Sequence, residues 1–323
     1  MLKKILPVFI VVLIASCGDD DDSNLEIVPP RLLADQIIED DAAIQEYLAT
    51  HFYELQTDPV FGGQRVVIDT IAGDNAGKDP MINDANLGTK VVNVSSNQVN
   101  LVEEENDIPH TLYYIIAREG EGISPTVADS TLLKYEGYLL NRTKFDAVSD
   151  FVWQELPNFL RGYANGIAEL TSGTSEGLVQ NGDGTSYYND SGIGIIIMPS
   201  GLGYFLASPS TAIPSYSPLV FTVEVGNIIE NTDTDNDGVP SILEDLNGNG
   251  YLFDDNTDSE SELSAGVFAR ADFQDTDDDD DGIPTRTEIS DAEGNIIFPY
   301  PGSENGGVPD YLNPDVQRDP NDN

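Results

Sequence analysis

Two acidic runs late in the chain have the spacing of an oxygen cage for a hard cation. Asp233-Thr234-Asp235-Asn236-Asp237-Gly238 is followed by five residues and then Glu244. Asp277-Asp278-Asp279-Asp280-Asp281-Gly282 is followed by five residues and then Glu288. Both fit the calcium-loop pattern D-x-[DN]-x-[DN]-G-x5-E. Such a loop surrounds calcium with acids at positions 1, 3 and 5, a backbone carbonyl at 7 and a bidentate acid at 12. The candidate ligands are Asp233, Asp235, Asp237, Val239 and Glu244 in one loop, and Asp277, Asp279, Asp281, Ile283 and Glu288 in the other. Ser241 and Thr285 hold position 9, which often binds through water. Asp245, Asn247, Asn249, Asp254, Asp255 and Asp258 are placed to add or share ligands. Acid runs of low complexity can give such matches by chance, but two in one segment argue for a structural calcium module.

A second set of residues suits a different task. Rotating a peptide bond costs about 18–20 kcal/mol because it destroys amide resonance. An X-Pro bond takes tens to hundreds of seconds to isomerise. No nucleophile, metal or cofactor is required to speed it. A site need only bind the twisted amide better than the planar one. A dry aromatic pocket does so by seating the proline ring and removing the water that favours the planar form. The chain holds aromatics for such a pocket in a particular order: Tyr135-Glu136-Gly137, Lys144-Phe145-Asp146, Arg161-Gly162-Tyr163, Met198 to Tyr204, Ile213-Pro214, and Leu219-Val220-Phe221-Thr222-Val223.

In that order these pieces resemble the FKBP-type peptidyl-prolyl cis-trans isomerases, over about residues 109–230. The resemblance implies an α+β fold, a curved antiparallel sheet wrapped on a short helix with the site between them. It also implies no cofactor for catalysis. It gives Tyr135, Phe145, Tyr163 and Phe221 as aromatic walls, with Tyr163 where the family usually has tryptophan. Asp146 matches the acid beside the pocket, and Tyr204 the tyrosine that donates to a substrate carbonyl. Phe159, Leu160 and Ile213 match substrate-binding positions, and Phe151 is a further candidate edge.

The sequence departs from the family at two places. Phe205 stands where the family has glycine, which would ease a positive φ. Some twenty extra residues, 174–194, read as a hairpin or lid at the pocket rim, with Tyr187 and Tyr188 exposed and Asn181-Gly182 and Asp183-Gly184 as turn signals.

The acidic segment is no EF-hand pair, since Pro240 and Pro284 remove an N–H that an EF-hand needs. It is similar to thrombospondin type 3 or dockerin-like repeats, with Gly306 to Leu312 as a degenerate third copy.

The start of the chain carries an address. Lys3 and Lys4 precede an apolar run from Ile5 to Ile14, too short to span a bilayer as a stable helix. Ile14-Ala15-Ser16-Cys17 resembles a bacterial lipobox, in which Cys17 is acylated and anchors the chain to a lipid membrane. The Asp19–Asp22 run resembles the export signal of surface lipoproteins from Bacteroidota. An outer-membrane lipoprotein is expected, with surface exposure left open. Cys17 is the one cysteine, so no internal disulfide is possible.

The net charge is −44, and residues 230–323 hold 26 acids against three bases. That field repels phosphates and excludes nucleic acid as a partner. Only His51 and His110 are present, neither in a nucleophile motif, which leaves little for a hydrolase.

These sites need elements to position them. Arg31 to Phe52 has helical spacing, with Asp40 or Asp41 as cap of a second helix. Val66 to Ile68, Lys90 to Val94 and Thr111 to Arg118 read as strands. Asn158 to Leu170 reads as the short helix, capped by Asn158, with Gly162 and Gly166 marking a close approach. Leu219 to Val225 alternates like a half-buried strand.

The expected division is 1–16 signal peptide, 17–30 linker, 31–108 N-terminal helix/strand region, 109–230 isomerase-like domain and 231–323 acidic calcium-loop tail. Some family members dimerise through N-terminal helices, so a homodimer is one expectation. The expected function is assisting the folding of proline-containing exported polypeptides. The alternative is a non-catalytic surface lipoprotein of the same fold that binds a protein partner.

Overall fold

The computed structural model describes residues 29–303 and 306–320. The leader, Cys17 and the acidic run after it lie outside the described residues. The elements are α1 (Leu33–Thr50), β1 (His51–Thr57), β2 (Gln64–Thr70), β3 (Leu87–Val94), β4 (Ile108–Arg118), β5 (Ser130–Leu139), β6 (Lys144–Glu155), α2 (Arg161–Ile167), β7 (Leu178–Gln180), β8 (Ser186–Tyr188), β9 (Gly192–Met198), β10 (Leu219–Ile229), α3 (Ser259–Ala265) and α4 (Thr285–Glu288). The fold is α+β. Six strands form one antiparallel sheet in the order β3-β4-β9-β10-β5-β6.

The sheet is covered on both faces, and the strand sequences show why. Successive side chains point to opposite sides. Leu219, Phe221, Val223 and Val225 of β10 join Ile196 and Met198 of β9 and Tyr163 and Ile167 of α2 in one core. Val220 joins Ile193, Ile195 and Ile197 with Ile44, Tyr47 and Leu48 of α1 in the other. β10 is therefore buried on both sides from Leu219 to Gly226, and the half-buried expectation is corrected. Its buried acid is paired: Lys134 Nζ lies 2.8 Å from the Glu224 carboxylate, which also accepts from Ser191 Oγ at 2.6 Å.

α1 is one continuous helix. Neither Asp40 nor Asp41 caps a second one, because no glycine or proline breaks the run and Asp40 has a tertiary role. Its buried carboxylate accepts from Ser200 N at 2.7 Å, Ser200 Oγ at 2.6 Å and Gln36 Nε2 at 2.7 Å. Burial nevertheless raises its pKa above the ordinary carboxylate value. The first turn of α1 is capped from a distance, by the Glu105 carboxylate accepting from Leu33 N and Ala34 N.

The expected boundary at 108 falls inside the sheet, since β3 pairs with β4 from Leu87↔Ile115 to Val94↔Ile108. The acidic segment also packs onto the sheet domain. Ala128 shares a small core with Leu252, Ala271 and Phe273, and Ser130 N donates to Thr232 Oγ1 at 2.8 Å. Pro240, Pro284 and Pro309 each precede a short helical turn in the same extended backbone. Among the described residues, no helix is long and apolar enough to cross a membrane.

Candidate functional site

The short helix forms where the sequence placed it, though tighter. α2 starts at Arg161, and Asn158 is not its cap: Asn158 lies in the preceding turn and donates to Glu155. The two glycines do what their helix cost implied. A Cβ on Gly162 would sit 2.8 Å from Met198 Sδ and 2.9 Å from Leu202 Cβ, and one on Gly166 would sit 2.5 Å from Ile196 Cγ2. α2 therefore lies close against β9, and this sets Tyr163 over the sheet.

Most of the expected aromatic residues converge there. Tyr163 and Phe221 meet with ring centroids 5.0 Å apart. Tyr135 is 5.7 Å from Tyr163 and 5.9 Å from Phe221, Phe145 is 5.6 Å from Phe221, and Phe159 is 5.9 Å from Tyr163. Gly137 makes room for them, since a Cβ there would sit 2.7 Å from the Phe145 ring and 3.0 Å from that of Phe221. Ile213 is buried in the same core, with Leu160 and Tyr204 partly buried against it.

The polar groups at this site are placed by strand register. Asp146 pairs across from Gly137, and Tyr135 Oη donates to Asp146 Oδ2 at 2.6 Å. Tyr204 is half-buried, and burial together with the Asp146 charge raises its pKa. Its hydroxyl therefore stays protonated near neutral pH. Tyr163, standing in place of tryptophan, donates its hydroxyl to the buried Gln154 Oε1 at 3.0 Å. The sequence reading missed Gln154, and the signal for it was slight: a polar residue facing inward from β6.

Two expectations at the rim are corrected. Phe151 does not join the aromatic group. It packs on the opposite face, 5.1 Å from the Tyr188 ring, with Lys134 Nζ 5.0 Å over its own ring. A bulge opposite Lys134 is the reason, because it upsets the alternation that would aim position 151. The β7–β8 hairpin is also absent from the rim. Tyr187 packs over Gly62 and Gly63, Asn181 Nδ2 donates to Phe61 O, and Tyr188 is 2% exposed rather than exposed.

Phe205 takes the conformation expected of glycine. Its φ is 45°, and Tyr216, which packs on it, has φ 61°. The left-handed region costs a side chain about 1–2 kcal/mol. Burial of the Phe205 ring and the bonds Phe205 N to Ser200 O and Tyr216 N to Phe205 O hold it there.

The acidic loops form a second candidate site. Asp235, Asp237, Glu244 and Asp278 place one oxygen each within 4.8 Å of one another, as do Asp277, Asp279 and Asp281, and Asp258, Glu262 and Asp275. Asp233 Oδ1, Asp235 Oδ2, Asp237 Oδ2, both oxygens of Glu244, and both oxygens of Glu288 are buried with no hydrogen-bond partner. Uncompensated buried carboxylates are costly. Burial, then neighbouring acids, push Glu244 up to about 11 and Glu288 up to about 8. A hard divalent cation removes that cost, so the donor set, all oxygen, fits calcium. Val239 and Ile283 stand at the carbonyl position of their loops, each N–H donating to the position-5 aspartate. The first loop, Asp233–Glu244, and the run Asp245–Gly250 share a hydrogen-bond pattern, but the latter carries asparagine at two ligand positions. Asp278 was not expected as a ligand, because position 2 is free in the pattern.

Comparison with known proteins gives three findings. A family model described as BamM C-terminal matches residues 234–306. No curated protein sequence matches. Similar solved structures include a peptidyl-prolyl cis-trans isomerase from Pseudomonas syringae, at 18% identity over 36% of this chain and 74% of that one, TM-score 0.30. FkpA from Escherichia coli is 23% identical over 36% of this chain and 47% of its own, TM-score 0.29. The N-terminal domain of FKBP42 from Arabidopsis thaliana is 20% identical over 40% of this chain and 98% of its own, TM-score 0.30. The chain thus spans less than half of FkpA.

Proposed function

We propose that this protein accelerates cis–trans isomerisation of X-Pro bonds in polypeptides exported to the cell envelope. The observation that carries the reading is the aromatic group of Tyr135, Phe145, Tyr163 and Phe221 under α2, with Asp146 and the Tyr204 hydroxyl beside it. In this reading the proline ring rests on Tyr163 and Phe221, and Tyr204 Oη donates to a substrate carbonyl. Asp146, held by Tyr135, keeps that edge polar while the ring faces exclude water. The barrier falls because the twisted amide, with less charge separation than the planar one, is better suited to a dry aromatic surface.

The chain is further proposed to be a lipoprotein anchored through Cys17, with structural calcium in its two acidic loops. The lipobox resemblance supports the anchor, and the unpartnered buried carboxylates support the ions.

The test is proline-peptide exchange, measured by NMR with the full chain. Acceleration over the uncatalysed rate is expected. Tyr204→Phe removes one hydrogen bond, about 1 kcal/mol, and lowers the rate about fivefold. Asp146→Ala lowers it too. No acceleration by the intact chain would sink the enzymatic reading.

The alternative is binding without turnover, and one observation weighs against ready access to the rings. Tyr163 is 2% and Phe221 5% exposed, so their rings are covered in this structure. A proline ring reaches them only if covering side chains move aside; Phe159, 41% exposed and 5.9 Å from the Tyr163 ring, lies beside them. Peptide binding with no exchange would select that reading.

A further inference from the structure

The two acidic loops are built alike. In the first, Asp237 N donates to Asp235 Oδ1 and Val239 N to Asp237 Oδ1. In the second, Asp281 N donates to Asp279 Oδ1 and Ile283 N to Asp281 Oδ1. At position 2, Thr234 N donates to Ser241 Oγ and Asp278 N to Thr285 Oγ1, both at 3.2 Å. The loops differ in the side chain at that position: a threonine in one and an aspartate in the other.

Asp278 does not face its own loop. Asp277, Asp279 and Asp281 form their own group without it. An oxygen of Asp278 instead lies within 4.8 Å of ligand oxygens of Asp235, Asp237 and Glu244, which belong to the first loop. Asp278 is 1% exposed. Its Oδ2 accepts from Thr285 Oγ1 at 3.0 Å, and its Oδ1 has no partner. Asp235 Oδ2, Asp237 Oδ2 and both oxygens of Glu244 are equally without partners. Arg286 lies beside Asp237 but donates to none of these oxygens. One guanidinium, in any case, cannot offset four carboxylates.

We propose that Asp278, from the second loop, is a ligand of the divalent cation held by the first loop, so that one ion fastens the two loops together. The proposal rests on the calcium reading of the loops. It adds a ligand that the loop pattern leaves unassigned, and a consequence. Three successive residues serve two ions: Asp277 and Asp279 face the second, Asp278 the first. Filling one site therefore fixes the backbone that carries a ligand of the other, and the two sites bind cooperatively.

The experiment is calorimetric titration of the full chain with calcium. Asp278→Asn is expected to weaken one site at least tenfold and to abolish cooperativity, while the site removed by Asp279→Asn persists. Asp280→Asn, an exposed acid of the same run, should change nothing. Asp235→Asn reports the same ion from the first loop. The Asp235→Asn/Asp278→Asn pair should lose less than the sum of the single losses. Wild-type binding left unchanged by Asp278→Asn overturns the proposal. Additive losses, or an Asp280→Asn effect equal to that of Asp278→Asn, also overturn it. A wild-type chain that binds no calcium overturns the calcium reading itself, and this proposal with it.

Discussion

At the scale of single residues, Phe205 shows two forces opposed. Glycine at this position would relieve about 1–2 kcal/mol of left-handed strain. It would also remove a ring that is 1% exposed and packs edge-on against Tyr216. Truncating a buried phenylalanine costs about 3–5 kcal/mol. Packing wins, so Phe205→Gly should lower stability by roughly 1–4 kcal/mol, measured by denaturant unfolding. An increase in stability would show that strain, not packing, governs the position. Residue identities near the pocket were readable because each carries its own chemistry: Tyr135 a hydroxyl for Asp146, Gly137 the absence of a Cβ beneath two rings. Phe151 was unreadable because its direction depends on a bulge in the pairing of β5 with β6, which no residue at 151 announces.

At the scale of elements, α2 is defined by its closeness to β9. Ala is a better helix former than Gly by about 1 kcal/mol, so propensity alone predicts that Gly166→Ala stabilises α2. The added Cβ would meet Ile196 at 2.5–2.8 Å, and overpacking a core costs about 1–3 kcal/mol. A net loss is expected, read as a lower melting temperature together with a weaker Tyr163 contact in near-UV circular dichroism. Strands β2, β3, β4 and β10 and helix α2 were legible from periodicity and glycine placement. Three features were not. α1 runs unbroken through Asp40, whose carboxylate is taken up by Ser200, 160 residues away. Similarly, β3 belongs to the main sheet because its partner is β4, and pairing across a sheet leaves no mark in either strand alone. The β7–β8 hairpin was legible as a hairpin, but its docking on residues 61–63 depended on two glycines elsewhere in the chain.

At the scale of the whole molecule, the acidic segment should make stability depend on pH and, on the proposed reading, on calcium. Burial, then neighbouring acids, push Glu244 to about 11, Asp278 to about 10, and Asp235 and Glu288 to about 8. These folded values exceed the unfolded carboxylate value of about 4. Without metal, the folded segment therefore holds more protons than the unfolded chain. Its contribution is complete below about pH 4 and is lost as pH rises through about 8 to 11. Calcium bound as proposed would displace those protons, so its binding should strengthen as pH rises. Thermal melts at about pH 5 and pH 8 should thus show the chelated protein more stable at the lower pH. Added calcium should give its larger gain at the higher pH. Equal melts in all four conditions would contradict this.

β10 lies between β9 and β5 and is buried on both faces, and it leads directly to Thr232, which takes the Ser130 N–H at the edge of the acidic segment. Amides enclosed in this way exchange with deuterated solvent only when the whole domain opens. The amides of Leu219 to Val225 should thus be the slowest-exchanging in the protein. The acidic segment leads off from this stretch, so an opening of the segment by itself would leave its attachment point in place.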